Sequence, residues 1–66
     1  MEIRINGKIQ TARDGITIRE FLETCSIDPA KVVVEINNSI ITRDSFGTQK
    51  FKSGDRVEIL RFVGGG

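Results

Sequence analysis

The dipeptide Asn6-Gly7 constrains the start of this fold more than any other feature of the chain. A tight type I′ turn needs positive φ at both central residues, and Asn followed by Gly supplies this at the lowest steric cost. The residues on either side alternate as strands do. Ile3 and Ile5 share one face of residues 2–6. In residues 8–12, Ile9 and Thr11 lie on one face and Lys8 and Gln10 on the other. The chain is therefore expected to open with a β-hairpin.

A loop at Arg13-Asp14-Gly15 leads to Thr17-Ile18-Arg19-Glu20. Here the Thr17 hydroxyl can accept the Glu20 N–H while the Glu20 carboxylate reaches back to the Thr17 N–H, a capping box. Ile16 and Phe21 fall at the positions of a hydrophobic staple. Ile18, Phe21, Leu22 and Cys25 recur at the spacing of one helical face, so a helix over about residues 18–25 is predicted, ending before Asp28-Pro29. On this pattern Cys25 is a small hydrophobe on the apolar face. The chain has no His to activate its thiol, and a catalytic role is not expected.

Residues 32–36 read as a strand with Val32, Val34 and Ile36 inward. Asn37-Asn38 reads as a turn, followed by a short returning strand at Ile40-Ile41. Residues 43–47 form a loop with at most one helical turn, residues 49–52 can pair briefly, and Ser53-Gly54-Asp55 marks a further turn. Residues 56–62 form the last strand, with Val57 and Ile59 on one face and Glu58, Leu60 and Phe62 on the other. A single helix can bury only one stripe, so it must cross one face of a mixed sheet. The first and last strands then become central, parallel neighbours, with the helix in the crossover. The expected class is α+β: a β-grasp, ubiquitin-like fold with a four- to five-stranded mixed sheet and one main helix on one face. The expected division is a domain over residues 1–63 and a flexible glycine tail over 64–66.

Composition excludes several functions. Ten basic and nine acidic residues leave a net charge of +1, which is no electrostatic footprint for nucleic acid. Four Phe with no Trp or Tyr supply few stacking platforms for single strands. No apolar run approaches membrane-spanning length, and no signal peptide opens the sequence. One cysteine and no histidine point to no disulfide and no metal site. A single unpaired thiol suits a reducing compartment, so a cytoplasmic location is expected. A core of this size leaves a stability of roughly 3–5 kcal/mol.

The tail, Gly64-Gly65-Gly66, has no side chain to bury and loses much conformational freedom on ordering. It reads either as a bare arm that presents its α-carboxylate in a narrow channel or as an inert frayed end. Leu60 and Phe62, on the sheet face without a helix, read either as a partner surface or as ordinary exposed apolar residues. Arg43, Arg56 and Arg61 are candidates for steering an acidic partner, though solvated surface charge is the favoured reading.

Across nearly its whole length the sequence resembles the ThiS family of sulfur carriers in thiamine biosynthesis. The resemblance rests on Met1-Glu2-Ile3-Arg4-Ile5-Asn6-Gly7, on residues 33–43 with Asn37-Asn38 and Arg43, on Gly54-Asp55 before the last strand, and on Phe62-Val63-Gly64-Gly65-Gly66. Thr42 stands where many members have proline, and Phe46 where many have tryptophan. The resemblance implies that the Gly66 carboxylate is adenylated and becomes a thiocarboxylate whose sulfur enters the thiazole of thiamine. It implies a tail formed with Gly64 and Gly65, a partner surface at Leu60, Phe62 and Val63, and no catalytic residues or bound cofactor. ATP and Mg²⁺ are used by the activating enzyme. The implied partners are an E1-like adenylyltransferase, thiazole synthase, and a sulfur donor such as a cysteine desulfurase or rhodanese-type protein. A carrier for molybdopterin synthesis and a ubiquitin-like modifier share the fold and tail, and a plain interaction domain with an inert tail is the remaining alternative.

Overall fold

The computed structural model describes residues 1–62. Its elements are β1 (Glu2–Ile5), β2 (Lys8–Thr11), α1 (Ile18–Thr24), a 3₁₀ turn (Pro29–Lys31), β3 (Val32–Ile36), β4 (Ser39–Ile41), a second 3₁₀ turn (Arg43–Ser45) and β5 (Arg56–Arg61). The five strands form one sheet in the order β2-β1-β5-β3-β4. β1 and β5 run parallel, and every other pair is antiparallel. This is the α+β, β-grasp arrangement expected from the sequence.

Both hairpins depend on turn chemistry. Asn6 and Gly7 have φ of 49° and 84°, and Asn37 and Asn38 have 51° and 72°. Positive φ at both central residues matches the twist of the flanking strands. Asparagine tolerates it better than most residues because its short amide can hydrogen-bond locally.

The helix begins as its sequence dictates. The Thr17 hydroxyl accepts the Glu20 N–H at 3.1 Å, and Glu20 Oε1 accepts the Thr17 N–H at 3.0 Å. The next unpaired N–H groups are taken by the loop that precedes β5: Ile18 donates to the Gln49 carbonyl at 3.0 Å and Arg19 to that of Phe46 at 2.9 Å. The Glu20 carboxyl is held below its ordinary value of 4.5, first by the Thr17 N–H, then by the Thr17 hydroxyl, with the Arg13 charge adding to both. A depressed carboxyl contributes stability that is complete above the unfolded value and is lost as the pH falls through the folded one. Glu20→Gln keeps an amide oxygen for the cap but cannot ionise. The melting temperature of the native chain is therefore expected to exceed that of Glu20→Gln near pH 7, with the gap closing as the pH falls below the lowered folded value of Glu20. A gap that stays constant across that range refutes the ionic part of the cap.

The other end of the helix departs from the expected pattern. Ser26 takes φ of 58° and donates its N–H to Glu23 O, while Ile27 donates to Leu22 O at 2.8 Å. These two bonds are those of a Schellman turn. The turn folds Ile27 back against the core, and Cys25, left as the C-cap, is exposed. The expectation that Cys25 is buried on the apolar face is thus wrong. The helix stops at Thr24, and Ile27 contributes the apolar contact that helical spacing assigned to position 25.

The core lies between α1 and one sheet face. Ile18, Phe21 and Leu22 meet Ile3, Ile5, Val32, Val34, Ile36 and Val57, and Phe46 and Phe51 close the open end. The rings of Phe21 and Phe51 pack edge to face, with centroids 5.5 Å apart, the favoured geometry for aromatic quadrupoles.

Candidate functional site

The second sheet face has no helix over it. The register places Ile9, Arg4 and Arg56 side by side across β2, β1 and β5. It places Leu60 opposite Val33, and Glu58 opposite Glu35, which in turn faces Ile40 on β4. Leu60 is 50% exposed, Ile40 68% and Ile9 62%, and Phe62, one residue past β5, is 56% exposed. The large apolar side chains that the described residues leave in water therefore include two at the end of β5. Among the described residues nothing covers Leu60 or Phe62, as both readings of them expected. Glu35 and Glu58 form a like-charge pair directly across two strands, a mildly unfavourable arrangement in the isolated protein.

β5 is held in this position by side chains as well as by its ladders. The Asn6 side chain completes the parallel pairing where β1 ends: Oδ1 accepts the Ile59 N–H at 2.8 Å and Nδ2 donates to the Ile59 carbonyl at 3.2 Å. On the opposite flank, Asn37 Oδ1 accepts the Arg56 N–H at 3.0 Å, and its Nδ2 donates to Asp55 Oδ1 at 3.1 Å. Asp55 is the one buried polar side chain among the described residues. Its second oxygen accepts the Lys52 N–H at 2.8 Å. A buried carboxylate is tolerable only when its lone pairs are met in this way. The sequence marked Asn6, Asn37 and Asp55 only as turn residues. The one hint of more was their place in the segments that carry the family resemblance.

Of the arginines considered for steering, Arg43 donates to the Ala30 carbonyl at 3.2 Å and braces the first 3₁₀ turn. Arg56 and Arg61 are exposed. A cleft of about 260 Å³ lies beside the end of β5, with Ile27, Val32, Lys31, Arg61 and Phe62 in its walls. Among the described residues no group of three or more His, Cys, Asp or Glu could hold a metal ion, and no helix is long and apolar enough to cross a membrane. Val63, Gly64, Gly65 and Gly66, and with them the expected division after residue 63, lie outside the described residues.

Fold and surface together define a β-grasp domain whose last strand, central in the sheet, ends beside the exposed apolar side chains of Leu60 and Phe62. The ThiS family model matches residues 3–66. The chain is 32% identical over 65 residues to the sulfur carrier protein ThiS of Bacillus subtilis, covering 97% of this chain and 98% of that one. The crystal structure of a thiamine biosynthesis protein, ThiS, from Geobacter metallireducens superposes with a TM-score of 0.81 at 36% identity over the full length of both chains. All 66 residues also match a thiazole synthase from Magnetococcus marinus at 33% identity, although this chain spans only 20% of that protein. The chain belongs to the ThiS family of sulfur carriers.

Proposed function

We propose that the Gly66 carboxylate carries the sulfur. In this reading a carboxylate oxygen attacks the α-phosphorus of ATP and pyrophosphate leaves. The terminal sulfur of a donor persulfide then attacks the acyl carbon and AMP leaves, and a thiol cleaves the resulting acyl disulfide, so that the donor sulfur ends in a disulfide with that thiol and the chain ends in a thiocarboxylate. A carboxylate is a poor electrophile, and the mixed anhydride supplies the leaving group it lacks. The sequence holds no glycine-rich phosphate loop followed by Lys and Ser or Thr, so the ATP and Mg²⁺ chemistry belongs to a separate E1-like adenylyltransferase. Gly64 and Gly65 let the terminus enter that enzyme's site in extended form. Leu60, Phe62 and Val63 form the contact surface beside it. The sulfur donor is a cysteine desulfurase or rhodanese-type protein, and the setting is the cytoplasm.

The observation that carries the choice of acceptor is the Magnetococcus thiazole synthase, part of which is similar to the whole of this chain. Joining two proteins in one polypeptide raises the effective concentration of each for the other, so such a joining favours pairs that act together. Thiazole synthase is accordingly the proposed recipient of the sulfur, in the thiamine branch.

The test is the intact mass of the protein after incubation with a family adenylyltransferase, Mg-ATP and a sulfur source. The expected gain is the difference between one sulfur and one oxygen. An unchanged mass, under conditions where the same enzyme modifies another family member, rejects the proposal. Conjugates joined to lysines point instead to a modifier. Leu60→Ser with Phe62→Ser is expected to raise the half-saturating concentration of the carrier roughly tenfold or more, the scale of losing central apolar anchors.

A further inference from the structure

Main-chain groups along a strand point alternately to its two neighbours. On β5, residues 56, 58, 60 and 62 address β3 and its flanks. The Asn37 N–H meets the Arg56 carbonyl at 2.7 Å, the Phe62 N–H meets the Lys31 carbonyl at 3.0 Å, and the pairs Glu35–Glu58 and Val33–Leu60 lie between. Residues 55, 57 and 59 address β1. Arg4 donates to Asp55 O and Asn6 to Val57 O, each at 2.9 Å, and the Asn6 side chain meets both main-chain groups of Ile59. Arg61 is the next residue in that second series. By then the chain of β1 has turned back at Asn6-Gly7, and among the described residues no hydrogen bond reaches the Arg61 N–H or carbonyl. Neither neighbouring strand reaches these two groups among the described residues, so one rung of a central strand is left unpaired.

We propose that an extended segment of the activating enzyme pairs with β5 at Arg61, through this N–H and carbonyl, and so grips the strand that leads into the tail. The proposal rests on the reading of Gly66 as the activated group. The position selects the occupant. β2 and β4 also have free outer edges, but in the order β2-β1-β5-β3-β4 neither adjoins β5, so a strand added there is out of line with residue 62 and beyond. The β3 side of β5 is filled as far as Phe62. A protein that takes the residues after Phe62 therefore meets an open main-chain edge only on the β1 side. An added strand sets its alternate side chains beside Leu60 on the open face and beside Arg61, the register partner of Val32, on the other. The segment that fits therefore alternates apolar residues with an acidic one. Strand addition of this kind draws affinity from the main chain and specificity from the alternate side chains.

The test uses the full chain made by chemical synthesis with N-methylarginine at position 61, which removes the donor and blocks close approach. A control carries the N-methyl group on Thr11, whose N–H faces the outer edge of β2. Adenylation of the Arg61-methylated chain is expected to fall at least tenfold in kcat/KM, with the circular dichroism and melting temperature unchanged, and the Thr11 control is expected to match the native chain. In the unmodified protein, the Arg61 amide is expected to exchange fast with solvent when free and at least tenfold more slowly in the enzyme complex, while Leu60 and Phe62 are protected in both. Equal adenylation of native and Arg61-methylated chains overturns strand pairing alone, as does an Arg61 amide that stays unprotected in the complex. If the native chain is not adenylated, the reading of Gly66 falls and the pairing falls with it.

Discussion

A chain whose terminal carboxylate is replaced by a carboxamide, or which lacks Gly66, is expected to lose adenylation by at least about a hundredfold, because the attacking group itself is missing or displaced. The two changes differ usefully. The carboxamide keeps the length and backbone of the tail and removes only the nucleophile. The deletion keeps a carboxylate but shortens its reach by one residue, a misplacement that costs near-attack geometry. Neither is expected to move the melting temperature by more than about a degree, since a terminal glycine has no side chain to bury and the core residues named above lie between Ile3 and Val57. The measurement is radiolabelled pyrophosphate exchange with the activating enzyme, alongside thermal melting. Full exchange by the carboxamide would falsify the proposal that Gly66 is the acylated residue. A fall of several degrees on deletion would instead show that the terminus is part of the fold.

The largest effect on stability is expected from Phe46→Ala. Phe46 is 1% exposed, and it sits in the loop whose carbonyls receive the first N–H groups of the helix. Emptying a buried phenyl site costs about 3–5 kcal/mol, similar to the whole stability of a domain this size, roughly 3–5 kcal/mol. The loss of the ring also loosens the Arg19-to-Phe46 hydrogen bond. The variant should therefore be largely unfolded at room temperature and show no cooperative urea transition, whereas Phe46→Leu, which refills most of the volume, should retain one. A Phe46→Ala variant with a normal transition would mean that the loop collapses onto the site at little cost, contrary to its place at the end of the core.

What could be read in the sequence was what depends on neighbours along the chain. Asn6-Gly7, Asn37-Asn38 and the Thr17–Glu20 cap are each satisfied within a few residues, and the structure bears out all three. The exposed Leu60 and Phe62 followed from a single helix being able to cover one face. The paired contacts of Asn6 with Ile59, and of Asn37 with Asp55, were not legible, since they join residues far apart in sequence and exist only once the sheet has its register. Cys25 was misplaced for a related reason. Helical periodicity says which face a residue shares, but the last turn is decided by Ser26 adopting φ of 58° and by Ile27 folding inward, and serine is not the usual residue for that conformation. The open rung at Arg61 needs the positions of three strands together.

The two asparagine clasps on β5 also bear on how the protein withstands tension. The hydrogen bonds along β5 run across the strand axis on the β3 side and slant across it on the β1 side, from Arg56 to Phe62 on the first flank and from Asp55 to Ile59 on the second. A pull applied at Phe62 along that axis loads these bonds together in shear, so they do not open one after another as they would if the strand were peeled from an edge. A protein that draws on the end of this strand meets the resistance of the whole central sheet, and the domain can be tugged without being unzipped.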